Sequence, residues 1–335
     1  MSNYPSRTDI VTAMRNPNVS FKSNEILDGS IIQKGSRIVQ YSGGYTTVFP
    51  FHQKSGKKIA VRLWIADIGD AKKRSLEISN YLENLKNNYF VSFKYIDDAV
   101  LVNGRLHPIV LMDWVEGKTL KEYINDTILN SNSIHHLAEK FKEMTQYFHA
   151  QNIAHGDLQH GNLLVQNDGS LVAIDYDSMY IQSLDGMPDT IKGLPGYQHP
   201  ARNSNEFVNS KLDYFSELII YLSLLIFADN PSLWKEYYET EDLLFSKNDF
   251  DSPKNSSLIS TCLNSQNSSI KELTEKMLEE LDASDIKNLR PLEHLLINKK
   301  EEIKDSIFNK WDSQPNPEIK KVSSFPDKKN ITNKF

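Results

Sequence analysis

One nine-residue stretch, Ala154-His-Gly-Asp-Leu-Gln-His-Gly-Asn162, constrains this chain more than any other. It runs into Leu163-Leu-Val165 and then, past Asn167-Asp-Gly169, into Leu171-Val-Ala-Ile174 and Asp175. Two short apolar runs around an Asn-Asp-Gly turn read as strands. Asp157 and Asn162 therefore stand just ahead of the first strand, and Asp175 stands at the end of the second. A lone Asp-x4-Asn says nothing. The whole set, on strands and turns in this order, is hard to obtain by accident.

Upstream, the periodicity is that of strands. Arg37-Ile-Val-Gln-Tyr41 and Tyr45-Thr-Thr-Val-Phe-Pro-Phe51 flank Ser42-Gly-Gly44 as a hairpin, and Lys58-Ile-Ala-Val-Arg-Leu-Trp64 is a third strand. Residues 70–85 have a helical pattern. Residues 90–96, 99–102 and 108–112 read as strands, the last two around an Asn103-Gly104 turn. Residues 31–113 thus form a small antiparallel sheet with one helix. After Gly117 the chain is mainly helical, with a long amphipathic helix from Ser133 to Gln151 under a Ser cap and several helices over 211–300. The first thirty residues read as a preface with a short helix at 9–15. From about Trp311 the chain is polar and reads as a disordered tail or linker.

Composition excludes little. A net charge of −6 gives no basic footprint for nucleic acid or an anionic membrane. The most apolar stretch, Leu218 to Ala228, is shorter than the ~20 residues of a spanning helix and reads as a core helix. The N-terminus lacks the apolar run of a secretory signal. The lone Cys262 permits no internal disulfide and fits a reducing, cytoplasmic setting.

The motif's residue types suit phosphoryl transfer, which asks a protein for placement and charge neutralisation more than covalent chemistry. Asp157 can accept the proton of an incoming hydroxyl. Asn162 and Asp175 offer the oxygen ligands that Mg²⁺ prefers. His155 reads as a packing and hydrogen-bonding residue.

On these residues the chain resembles the protein-kinase-like superfamily over roughly residues 31–300. Its His-Gly-Asp loop is similar to that of atypical bacterial Ser/Thr protein kinases and of aminoglycoside and choline kinases. The resemblance implies an α+β, bilobal protein-kinase-like fold, with a β-rich N-lobe carrying one helix (31–116) and a mainly helical C-lobe (117–305). An N-terminal extension (1–30) and a tail (306–335) flank it. It implies ATP and Mg²⁺ as cofactors and a protein substrate; the charge and the short apolar stretch point to no nucleic acid partner and no membrane insertion. Gly43, Gly44 and Val48 match the phosphate-covering loop. Ala60 would touch adenine, and Arg62 stands where the family has its phosphate-binding lysine. Glu77, or alternatively Glu83, would pair with Arg62. Met112 matches the gatekeeper, and the backbone of Asp113 and Val115 the hinge that reads the adenine edge. Leu164 would floor the nucleotide site and Ile174 back it. Asp213 matches the buried Asp that fixes the catalytic loop.

Several positions depart from the pattern. Arg62 is not equivalent to lysine in shape or hydrogen bonding. Gly156 replaces the usual Arg beside Asp157, so a phosphate on Ser178, Tyr180 or Thr190 would lack its usual partner, although Arg202 could substitute. Gln159 replaces a lysine, and Tyr176-Asp177 replace Phe-Gly. The acceptor stays open: a protein Ser/Thr hydroxyl, a small molecule of the aminoglycoside or choline kind, or none, as in a pseudokinase scaffold. The segment 193–200, by resembling a peptide-docking shelf, favours the first.

Overall fold

The computed structural model describes residues 4–67 and 69–297. The N-terminal half is built on a six-stranded antiparallel sheet. In spatial order its strands are Ser30–Ile31, Thr46–His52, Lys58–Trp64, Arg105–Asp113 and Phe93–Val102, with Tyr41–Ser42 also paired to Thr46–His52. The helix Ala71–Asn84 packs on this sheet.

Strand alternation sorts the side chains into two faces. On Lys58–Trp64, Ile59, Val61 and Leu63 enter one apolar core, and the intervening Ala60 and Arg62 face a cleft. The residues read as a preface complete that core. Ile10, Met14 and Ile26 are fully buried and Phe21 nearly so, packed among Phe49, Phe51, Val100 and Ile109. Burying side chains of this size contributes about 1.5–3 kcal/mol each. The helix Arg7–Met14 is fixed by a capping box between Ser6 and Asp9.

Two local readings are corrected. The separate strands at 90–96 and 99–102 are one strand, Phe93–Val102, with an irregularity between Ile96 and Val100. Asp98 there has φ 51°, and a bulge accommodates the break in the pattern without ending the strand. The long helix runs Ser131–Ala150, and its cap is Asn130, whose side chain accepts from Ser133 N, rather than a serine.

The second half is helical. Tyr214–Asp229 is buried along nearly its whole length against Ser131–Ala150. No helix among the described residues is long and apolar enough to cross a membrane. A small sheet, Gly117–Thr119, Leu163–Gln166 and Leu171–Ala173, lies where the two halves meet. The expectation for 306–335 lies outside the described residues.

Candidate active site

The site is assembled where the small sheet meets the large one. Leu163–Gln166 and Leu171–Ala173 pair antiparallel, and Ile174 N donates to Asn162 O at 2.9 Å. That closure brings Asn162 and Asp175 side by side although a whole hairpin separates them in sequence. Asn162 Nδ2 donates to the Asp157 carbonyl at 2.9 Å and to Asp157 Oδ2 at 3.1 Å.

The loop carrying Asp157 is held from below. Asp213, 1% exposed, accepts from Gly156 N at 2.9 Å and from His155 N. The Asp213 carboxylate therefore fixes backbone, as the resemblance implied. His155 is buried, accepts from Asp157 N at 3.3 Å on Nδ1 and bonds the Ile174 carbonyl through Nε2 at 2.8 Å. With both nitrogens engaged it ties the two halves of the motif together and offers no free base. Tyr176 is fully buried; its hydroxyl donates to Ala173 O at 2.8 Å and accepts from Val91 N at 2.9 Å.

Asp157 is half-buried. Burial and then neighbouring Asp175 push its carboxyl above the ordinary range, against the opposing pull of His155 and Arg202. Its Oδ1 is buried without a hydrogen-bond partner. Gly193 (φ 75°) lies against that oxygen, and a Cβ there would come within 2.6 Å of it. A carboxyl held above the ordinary range, with Gly193 rather than a bulkier residue against one oxygen, suits the capture of a hydroxyl proton.

A cavity of about 490 Å³ opens beside these groups. Val48, Ala60, Met112, Leu164 and Ile174 line its apolar part. Strand register accounts for two of these: Ala60 lies opposite Met112, so their side chains share a face. Asp113 and Val115 border it at the connection between the halves. The Asp113 amide is already engaged by Ser92 Oγ at 3.1 Å. Among the described residues nothing bonds the backbone of Val115, so the Val115 groups are free for a ligand. Asn162, Asp175 and Arg62 line the polar part.

Arg62 is 2% exposed and makes ion pairs with Asp177 and, at 3.3 Å, with Asp175. Burial opposes charge on such a group, but the two carboxylates, Asp177 foremost, hold its pKa above the ordinary value. Its Nη1 is buried without a partner. A guanidinium that lines a cavity and keeps one nitrogen without a hydrogen-bond partner can donate to a phosphate.

Three expectations change. Glu77 does not hold Arg62; among the described residues it makes no ion pair, and Glu83 is exposed. The helix turns Arg74, Ser75, Ile78 and Leu82 inward, which leaves Glu77 at the edge of the buried stripe. Gly43 and Gly44 do not line the cavity. Their turn projects past the strands, with nothing within 4 Å of a Cβ at either, and Arg7 Nη2 donates to Gly43 O at 2.6 Å. Arg202 is not available for a phosphate, because Asp189, Gln198 and the Ile191 carbonyl occupy it. Gln159 bonds within its own turn, accepting from Gly161 N at 2.7 Å.

Sequence reasoning missed Asp177, Tyr41 and Trp114. Tyr41 pairs with Val48 across the glycine turn, and its ring lies 6.1 Å from that of Trp114, with both bordering the cavity. Trp114 lies between Asp113 and Val115, which were already singled out. Asp177 stood out only as a departure next to Asp175, with no role attached to it.

A sequence model of the protein kinase domain matches residues 42–285, and the chain belongs to that family. Among curated proteins it is similar to a probable serine/threonine-protein kinase, mkcC, of Dictyostelium discoideum (25% identical over 187 residues, 55% of this chain and 20% of that protein). It is also similar to the serine/threonine-protein kinase STE20 of Kluyveromyces lactis (23% over 187 residues, 55% and 18%). The third is a probable serine/threonine-protein kinase, zyg-1, of Caenorhabditis briggsae (25% over 165 residues, 47% and 22%). The chain thus spans about a fifth of the length of these relatives.

Proposed function

We propose that this chain binds ATP with Mg²⁺ in the cavity between its two lobes and transfers the γ-phosphate to a Ser or Thr hydroxyl of a protein. The observation that carries this reading is convergence. Arg62, Asn162 and Asp175 border one cavity, and Asp157 joins them through the hydrogen bond it accepts from Asn162 Nδ2.

In this reading Val48, Ala60, Met112 and Leu164 hold the base by apolar contact, and the free Val115 backbone supplies its polar edge. Arg62 holds a phosphate oxygen. Asp175, half exposed, and the Asn162 oxygen are a hard donor set that would hold Mg²⁺. When bound, the ion supplies charge neutralisation on the phosphates. Asp157 orients the acceptor hydroxyl and takes its proton. The peptide would lie along 193–200, which Gly193 brings against Asp157 and which the Tyr197–His160 hydrogen bond ties to the catalytic loop. That placement favours a protein acceptor over a small molecule. The intact carboxylates favour turnover over a scaffold. The lobes would divide near 31–116 and 117–305, and a single buried cysteine suits a cytoplasmic setting.

The test is incubation of the full chain with labelled ATP, Mg²⁺ and candidate protein acceptors, followed by mapping of labelled sites. Label on Ser or Thr that depends on Asp157 is expected. Absence of nucleotide binding, or label confined to small alcohols or aminoglycosides, would overturn the reading.

A further inference from the structure

We propose that Asp177 is the positioning residue for Arg62, so that the acid orienting the phosphate-binding cation comes from the loop carrying Asp175 and not from the neighbouring helix. This rests on the nucleotide-binding reading above.

A buried cation needs a partner, since stranding one in the interior costs several kcal/mol. Arg62 finds that partner in Asp177, whose carboxylate bonds Nη2 and is only 14% exposed. Asp175 also lies near Nη2, but its side chain is 50% exposed. The two acids therefore divide the work. Asp177 is enclosed with the guanidinium, and Asp175 stays open to the cavity it lines. With Nη2 fixed on the Asp177 side, Nη1 is left buried and unpartnered.

The loop geometry explains how both acids reach one place. Asp175 takes a left-handed conformation, φ 69°. Tyr176, next in line, is immobilised among Phe90, Phe93 and His155, and its hydroxyl is bonded at both ends. A locked residue between two acids sets the direction of the second.

The helix contributes the opposite sign. Arg74, 5% exposed, donates to the carbonyls of Met179 at 3.4 Å and Pro188 at 3.1 Å. Burial lowers its pKa, while Asp177 and then Asp189 favour its charge. The helix thus braces the segment after Asp175 through a cation. Arg62 takes its aim from a residue two positions from Asp175, so one loop anchors both the phosphate-binding cation and the metal-binding acid.

The test is calorimetric titration of the full chain with ADP, with and without Mg²⁺, alongside thermal melts. Asp177→Asn should weaken ADP binding roughly 10-fold in both conditions, because it acts through Arg62. Glu77→Gln should bind as the wild type does, and Asp177→Glu should recover most of the loss. The double variant Arg62→Gln with Asp177→Asn removes both buried charges, and so keeps the question answerable if Asp177→Asn alone fails to fold. It should bind no more weakly than Arg62→Gln alone. If wild type binds ADP but Asp177→Asn equals wild type, or Glu77→Gln loses as much, or the double variant falls below Arg62→Gln, the inference is overturned and the site reading stands. If wild type binds no nucleotide, the site reading itself falls.

Discussion

Gly156 shows how one residue can decide what its surroundings permit. It has φ 80°, and a Cβ there would lie 2.1 Å from the Ser178 carbonyl oxygen. The chain after Asp175 occupies the space that a side chain beside Asp157 would need. Gly156→Ala should therefore lower the melting temperature by several degrees and disturb the Asp157 loop, a loss of about 1–3 kcal/mol from strain and clash together. Unchanged thermal melts would contradict this. At Asp157 itself, substitution by Ala should reduce phosphate transfer by about 10²–10⁴-fold while nucleotide affinity stays near wild type. Rates in saturating ATP, paired with calorimetry, check both halves. Asp175→Asn should weaken Mg·ADP far more than metal-free ADP, the pattern that separates it from Asp177. Equal losses in the two titrations would make Asp175 structural.

At the scale of elements, the segment from Asp175 to Asp213 is ordered by groups already in the sequence. Asp189, buried, accepts from Arg202 Nε at 3.3 Å and Nη2 at 3.2 Å, from Asn205 Nδ2 at 2.9 Å and from Lys192 at 3.1 Å. Burial alone would raise its pKa, but these donors outweigh it and hold the carboxyl below the ordinary range. Of the hydroxyls that could carry a phosphate, Ser178 and Tyr180 are buried and Thr190 is exposed. A fixed carboxylate thus stands among the cations that a phosphate would otherwise recruit. Phosphatase treatment should leave activity within about twofold, whereas Asp189→Asn should speed amide exchange over 187–205, since breaking a buried pair costs about 3–5 kcal/mol. Activity lost to phosphatase and regained on autophosphorylation would refute this. Much of the fold and of the site was legible in advance where it is local. The Asp157–Asn162 spacing, the Asn103-Gly104 turn and the alternation of Lys58–Trp64 each carry their meaning within a few residues. What was not legible depends on rotation and distance. Glu77 and Arg74 lie one turn apart on a helix, and only packing decides which faces inward. Asp177 meets Arg62 across 115 positions of sequence.

On the scale of the whole molecule, the two halves answer to different conditions. In the helical half, His149 sits between Glu217 and Glu293, at 2.9 Å from each, with Tyr214 edge-on. Burial alone would lower its pKa, but Glu217 and then Glu293 outweigh it and raise it to about 9. A raised folded-state pKa stabilises fully below the unfolded value near 6.5. That contribution is lost as pH rises through about 9. Stability should therefore fall as pH rises between those limits, and His149→Gln should flatten that part of the profile in denaturant titrations. A wild-type curve without that slope would show that the pair is not charged.

The sheet half has a consequence in time. Ile10, Met14, Phe21 and Ile26 are synthesised before the strands that bury them, which extend to Leu111. At about 5–20 residues per second, the interval between Ile26 and Leu111 is roughly 4–17 seconds. Through that interval the nascent chain carries an unpaired apolar helix and loop, a target for chaperones that hold exposed hydrophobic surface. The part of this core that is made first is the part that must wait longest to be covered.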